Sequence, residues 1–256
     1  MTGAKDPGYG YAFIYSTPKL YNLYVNNGDT KRFNWSIAPF EYKEAGGKNT
    51  GVTHREFEQG TLAEVMSQYG QQRGTYQYAD DTEKTTATKN FSRMCGKYRR
   101  EYEADKKDKN YTSINFPILR YSDVLLMYAE AINEYAGAPD EQAKEAVREV
   151  RRRAGVATDE SQLSGQASFR NLVRNERARE LAFEGLRKWD LIRWGIFVER
   201  MHLAGTNVPT ESMYLNKTIT DYAAGNYANV SARHIYLPIP TKELAVNHAL
   251  QQNPLW

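Results

Sequence analysis

The chain has 256 residues, and its 34 lysines and arginines are nearly balanced by 31 aspartates and glutamates, leaving a formal net charge of +3. Basic and acidic residues are interspersed, so the electrostatic stripe that nucleic acid demands is absent from the pattern. At 41% hydrophobic and 25% charged the composition is that of a folded globular chain, with room for one sizeable core or two small ones.

From Gly8 to about Tyr111 the text is rich in Gly, Asn, Thr and Tyr, and residues 1–115 are expected to form a loop-rich segment with short helices and strands. Lys19 to Val25 predicts a helix of two turns, and Asn27-Gly28-Asp29 and Gly46-Gly47 are turn signals. Thr85 to Asn90 and Lys106 to Lys109 suggest exposed connections, and Lys97 to Tyr102 the beginning of a strand leading to Phe116-Pro117.

Residues 116–204 are expected to be a helical core. Tyr121, Val124, Leu125, Tyr128, Ala131, Ile132 and Tyr135 follow helical spacing without a miss and predict a helix that buries that face. After a turn at Gly137-Ala138-Pro139, Asp140 is the expected N-cap of a second helix with Ala143, Ala146, Val147 and Val150 on its apolar face and Gly155 as its stop. Two such helices joined by a short turn predict an antiparallel hairpin of the tetratricopeptide type. Ser168 is the expected cap of a third helix running to Gly185 or a turn beyond, and Phe197 to Leu203 of a fourth, short one. Residues 205–256 are expected to be a loop, Gly205 to Asn229, then an extended segment, Arg233 to Pro240, with Thr241 capping a last short helix.

In the third helix, Glu176, Glu180 and Glu184 repeat every four residues, among Arg177, Arg187, Arg193 and the apolar Leu181, Phe183, Trp189, Leu191 and Trp194. Burying such charges costs several kcal/mol each unless they are paired, so the stripe predicts an ion-pair network against a fixed partner surface. A competing reading takes Glu180 and Glu184 as a glycosidase-like acid pair, since two carboxylates at i and i+4 approach the roughly 5 Å that retaining enzymes use. It fails if both acids are paired with arginines and hidden from solvent.

Cys95 is alone, so no intrachain disulfide or Cys-based metal site is expected, and His54, His202, His234 and His248 are scattered singly. No nucleotide-binding or nucleophile-elbow motif occurs, and no cofactor or metal is expected. The chain has no run of about eighteen apolar residues. Its opening, MTGAKDPGYGYAF, has neither a basic nor an apolar leader segment, and suggests a piece of something longer.

Five stretches, in order, resemble the SusD/RagB family of surface glycan-binding lipoproteins. These are Asp29 to Phe33 after Leu20 to Tyr24; Phe116 to Glu134, FPILRYSDVLLMYAEAINE; Val147 to Gly155, VREVRRRAG; Asn175 to Gly195, NERARELAFEGLRKWDLIRWG; and Tyr236 to Trp256, with its Pro-Ile-Pro turn and Asn-Pro close. Asn247-His248 stands where the family often has Asn-Pro, and Trp256 where Tyr is usual. The resemblance covers the chain from about Tyr9 and implies a single domain, the C-terminal half of such a protein. The implied fold is mostly α, tetratricopeptide-like hairpins carrying a loop-rich, short-strand subdomain. The implied function is non-enzymatic: capture of an oligosaccharide for a SusC-like TonB-dependent transporter at the outer surface of the outer membrane, through a lipid anchor that this chain lacks.

Sugars present C–H faces to aromatic rings and hydroxyls to amides, carboxylates and guanidiniums. Loop aromatics beside such groups are therefore the candidate ligand residues: Tyr9, Tyr11, Trp35, Tyr42, Tyr76 and Tyr78, with Tyr214, Tyr222, Tyr227, Asn226 and Asn229 as a second pool. Trp189 and Trp194, at helical spacing, are expected in the core. Asp29, Arg32, Glu176, Arg177, Glu180 and Arg193 are expected to form a structural network. The alternative from another class is a helical scaffold whose only ligand is protein, or a RagB-like component that binds peptide.

Overall fold

The structure, a computed structural model, describes residues 14, 16–38, 40–44, 52–56, 94–98, 112–211 and 217–256. Tyr9, Tyr11, Tyr76, Tyr78 and Tyr214 lie outside them, as do Gly46-Gly47, Thr85 to Asn90 and Lys106 to Lys109. The chain forms two compact units, Met1–Arg187 and Lys188–Trp256.

The first unit begins with α1 (Pro18–Val25) and α2 (Thr30–Ser36). Thr17 caps α1 by accepting from the Leu20 amide, and Asp29 caps α2 by accepting from the Arg32 amide. Gly28, at φ +64°, makes the turn between them. Among the described residues four short strands follow: β1 (Ile37–Ala38), β2 (Phe40–Glu44), β3 (Val52–Glu56) and β4 (Met94–Cys95). β1 pairs antiparallel with β4, and β2 with β3, in the register that sets Tyr42 opposite His54. Of the strand expected from Lys97 to Tyr102 only Lys97 and Tyr98 lie among the described residues, and there the chain bends after β4 ends at Cys95, Tyr98 at φ +61°. Cys95 is buried.

The core of this unit lies among α3 (Tyr121–Ala136), α4 (Glu141–Ala154) and α5 (Gln166–Glu180), where Leu126, Ala129, Ala143, Val147, Val150, Phe169, Leu172 and Val173 pack together. The α3–α4 hairpin follows the expectation closely: Asp140 accepts from the Ala143 amide at 2.7 Å, and Gly155 ends α4 in the left-handed region at φ +74°.

The buried face of α3 coincides with the periodic apolar one only at Leu125 and Ile132, which are partly buried against the core. Ser122, Asp123, Leu126, Ala129, Glu130 and Asn133 point inward, whereas Tyr121, Val124, Tyr128 and Tyr135 are exposed, Tyr135 by 93%. Small size and polar partners decided the orientation. Ala129 permits close approach, Asp123 accepts from Arg177 at 2.7 Å, and Asn133 donates to the Gln166 carbonyl while Gln166 donates to that of Asn133. The last pair also anchors the start of α5, which begins at Gln166 after Gly165 rather than from a Ser168 cap.

α5 stops at Glu180, short of the expected end. Leu181 and Ala182 are drawn into a buried turn in which Phe183 and Gly185 both take positive φ. Glu184 therefore stands on this turn, off the helix that carries Glu176 and Glu180.

Helix α6 (Arg187–Arg193) leads into the second unit, where α7 (Phe197–Glu211) packs on α8 (Lys217–Ala228). The loop expected from Gly205 to Asn229 is thus mostly helix. Gly205 is a contact residue: a Cβ there would stand 3.0 Å from Tyr227 Cβ and 3.2 Å from the Ala224 carbonyl oxygen. A 3-10 turn, Ala232–Ile235, is followed by extended chain and α9 (Thr241–Val246), whose N-cap is Pro240 rather than Thr241. The Trp256 indole donates to the Arg233 carbonyl, and Gln252 exchanges two hydrogen bonds with the Ile239 backbone.

Candidate functional site

Arg32, one turn into α2, reaches α5 and binds three carboxylates. Its guanidinium donates to Glu176 Oε1 at 2.6 Å and Glu180 Oε2 at 2.9 Å, and pairs with Asp29 through Nε at 2.8 Å. Glu176 Oε2 also accepts from Arg151 at 2.8 Å and Arg179 at 2.7 Å, while Glu180 accepts from Arg120 at 2.9 Å and from Arg153. Glu184 adds Lys97 and Arg120 to the same network. Arg177 pairs with Asp123, and Arg193 with Asp190 in the second unit.

Burial opposes ionisation of the glutamates of α5, and at Glu180 and Glu176 the partners outweigh it. Desolvation raises the Glu180 carboxyl, yet its bonds to Arg120, Arg153 and Arg32 hold it down at about 2. Glu176 is lowered in the same way, against burial, chiefly by Arg179 and Arg32. For Lys97 the balance falls the other way, burial lowering its ammonium despite Glu184. Glu180 ends its helix and Glu184 stands on the turn beyond it, so they are not a helical i, i+4 pair; they are 4% and 6% exposed and border the neighbouring cavity only as carboxylates already held by arginine and lysine. The acid-pair reading loses its basis, because Glu180 is bound by Arg32, Arg120 and Arg153 and Glu184 by Lys97 and Arg120, leaving neither carboxylate free to act as acid or nucleophile.

Above this network lies a cavity of about 300 Å³, lined by Trp35, Tyr98 and Pro117 together with Arg120, Arg153 and Lys97. Trp35, the last aromatic of α2, is 47% exposed. Tyr98 stacks on Phe116 with ring centroids 5.3 Å apart, and its hydroxyl has no partner among the described residues. Burial pushes that hydroxyl up to about 12, so it stays a donor at neutral pH. The cavity therefore combines aromatic side chains with guanidinium donors.

Of the candidate ligand aromatics, Trp35 is placed here. Tyr42 lies on β2, and Tyr222 and Tyr227 lie on α8, Tyr222 exposed and Tyr227 half-buried. Tyr98 was missed; its place between basic residues in GKYRREY was the available signal. Trp189 is 51% exposed and Trp194 half-buried, contrary to the core expectation, because the helix that would have turned them inward is broken at residue 181. Among the described residues no group of three or more His, Cys, Asp or Glu is arranged to hold a metal ion, and no helix is long and apolar enough to cross a membrane.

Residues 2–256 match the SusD family, the SusD/RagB group. The chain belongs to the SusD family. SusD-like protein P25 of Formosa agariphila is 34% identical over 153 residues, 59% of this chain and 26% of that protein. The starch-binding protein SusD of Bacteroides thetaiotaomicron is 27% identical over 157 residues, 59% of this chain and 24% of that protein. A solved SusD homolog from Bacteroides thetaiotaomicron superposes over the whole chain with a TM-score of 0.75 at 25% identity, covering 48% of its own length. A SusD superfamily protein from Bacteroides vulgatus, at 23% identity and a TM-score of 0.58, shares the fold. The chain thus spans about half the length of these SusD structures, and its aligned stretch about a quarter of the two relatives. The mostly helical, hairpin-based architecture is that of the SusD family.

Proposed function

We propose that this chain is the C-terminal part of a non-enzymatic glycan-binding accessory protein, which captures oligosaccharide at the outer membrane surface for a SusC-like TonB-dependent transporter. The lipid-anchored placement and the transporter partnership are carried over from the SusD family. The observation that carries the glycan reading is the cavity lined by the partly exposed indole of Trp35 together with Tyr98, Arg120 and Arg153. An oligosaccharide needs that combination: a flat apolar platform for its C–H face and donors for its hydroxyls. A protein-contact role has its own support in the exposed apolar side of α3, a row of large side chains on an ordered helix.

Affinity electrophoresis and calorimetry against plant, host and microbial glycans test this function. The expected result is retardation by one glycan class with no product released, weakened at least about tenfold, or 1.4 kcal/mol, by Trp35→Ala. Release of sugar would overturn the non-enzymatic reading, and retention of full affinity in Trp35→Ala would remove the cavity from it.

A further inference from the structure

The carboxylates beneath the Trp35 cavity are outnumbered by the cations that hold them. Arg32, Lys97, Arg120, Arg151, Arg153 and Arg179 are joined through ion pairs to Asp29, Glu176, Glu180 and Glu184, which leaves an excess of positive charge in the connected network. Away from the cavity, Arg151 and Arg179 share Glu176, and Asp29 answers Arg32. At the cavity, Lys97, Arg120 and Arg153 share Glu180 and Glu184. Lys97 donates to both Glu184 and the Glu180 carbonyl, a set of acceptors that suits an ammonium. Beyond the network, Lys31 beside the Arg153 carbonyl and Glu149, one turn before Arg153 on α4, offset one another, as do Arg177 and Asp123.

Arg153 is where this excess can be reached. Arg120 uses all three of its guanidinium nitrogens on Glu180, Glu184 and Ser122, and Arg32 uses its own on Asp29, Glu176 and Glu180. Arg153 gives only Nη2, to Glu180, and its Nε and Nη1 have no acceptor among the described residues. Its side chain is 58% exposed and lines the same cavity as Trp35, so these donors are open to whatever enters. A concave site with an excess of one sign draws ligands of the other, and a guanidinium matches the oxygens of an anionic group. The cavity, about 300 Å³, corresponds to roughly ten waters at about 30 Å³ each, room for one sugar unit with a charged substituent.

We infer that the Trp35 cavity receives an acidic sugar unit, a uronate or a sulfate ester, whose anionic group pairs with Arg153 while its ring lies beside Trp35. The inference rests on the glycan reading of this cavity and narrows it to a substrate class.

The test runs the full chain on affinity gels carrying polygalacturonate, its methyl ester, a sulfated galactan and the same galactan desulfated, and measures oligosaccharides of each by calorimetry. One acidic member should bind at least about tenfold more tightly than its neutral counterpart, with an advantage that shrinks as salt is raised. Preference for polygalacturonate identifies a carboxylate source, and for the sulfated galactan a sulfate source. Arg153→Gln, at an exposed position that leaves Glu180 with Arg32 and Arg120, should bring the acidic-to-neutral ratio close to one; Arg153→Lys, which keeps the charge, should preserve most of it. Equal binding of acidic and neutral members, weakened in Trp35→Ala, overturns the acidic assignment and leaves the glycan reading of the cavity standing. An acidic preference unchanged in Arg153→Gln, or no binding by either acidic glycan, overturns the assignment as well, and binding indifferent to both Trp35→Ala and Arg153→Gln overturns the cavity reading with it.

Discussion

Glu180 is surrounded by the guanidiniums of Arg32, Arg120 and Arg153 in a site where water hardly reaches. Removing the carboxylate charge leaves three cations facing a neutral group, so Glu180→Gln should destabilise the first unit by roughly 3–5 kcal/mol, read as a lower midpoint in urea. Acid should act through the same residue. Its carboxyl lies at about 2 in the folded chain, below the roughly 4.3 of an unfolded glutamate, so the unfolded state binds the proton more readily. The stabilisation, on the order of 3 kcal/mol, is complete above about pH 4.5 and is lost as pH falls toward 2. Glu180→Gln should therefore flatten the dependence of unfolding free energy on pH across that window; an unchanged slope would show that other carboxylates dominate. This network was legible because acids at four-residue spacing among arginines rarely remain unpaired. The inclusion of Glu184 was anticipated for the wrong reason, since a turn, and not a helix face, brings it to Arg120.

Helix α3 shows where periodicity misleads. A stripe of apolar residues at helical spacing identifies a helix correctly but does not decide which side turns inward when the opposite side offers small residues and well-matched polar groups. Tyr121→Ser and Tyr135→Ser should each change stability by less than about 0.5 kcal/mol, whereas Leu126→Ala should cost about 2–5 kcal/mol. Thermal melting of the three variants decides between the two faces. Glycine misled in a similar way in the second unit, where a Gly/Asn/Tyr-rich text carried two helices. At Gly205 the missing side chain lets α8 approach, so Gly205→Val should destabilise by about 1–3 kcal/mol. Gly225 faces open space on the same helix pair, and Gly225→Ala should instead stabilise by up to about 1 kcal/mol. Equal effects at the two positions would mean that the α7–α8 contact is not as close as described.

At the scale of the whole chain, the α3–α4 hairpin, its caps and the family were readable because each rests on a local pattern or a long motif. The cavity was not, because it gathers residues far apart in sequence: Trp35 with Tyr98 and Arg153. No window of sequence contains that set. Cys95 is the only cysteine, and it sits 2% exposed at the end of β4, where its amide donates to the Ile14 carbonyl and its strand pairs with β1. A thiol so enclosed reacts with a disulfide reagent only when the surrounding structure opens. The protein thus carries an intrinsic clock at a single position, and the rate of thiol labelling, recorded with and without a bound glycan, would report how firmly a ligand closes the first unit.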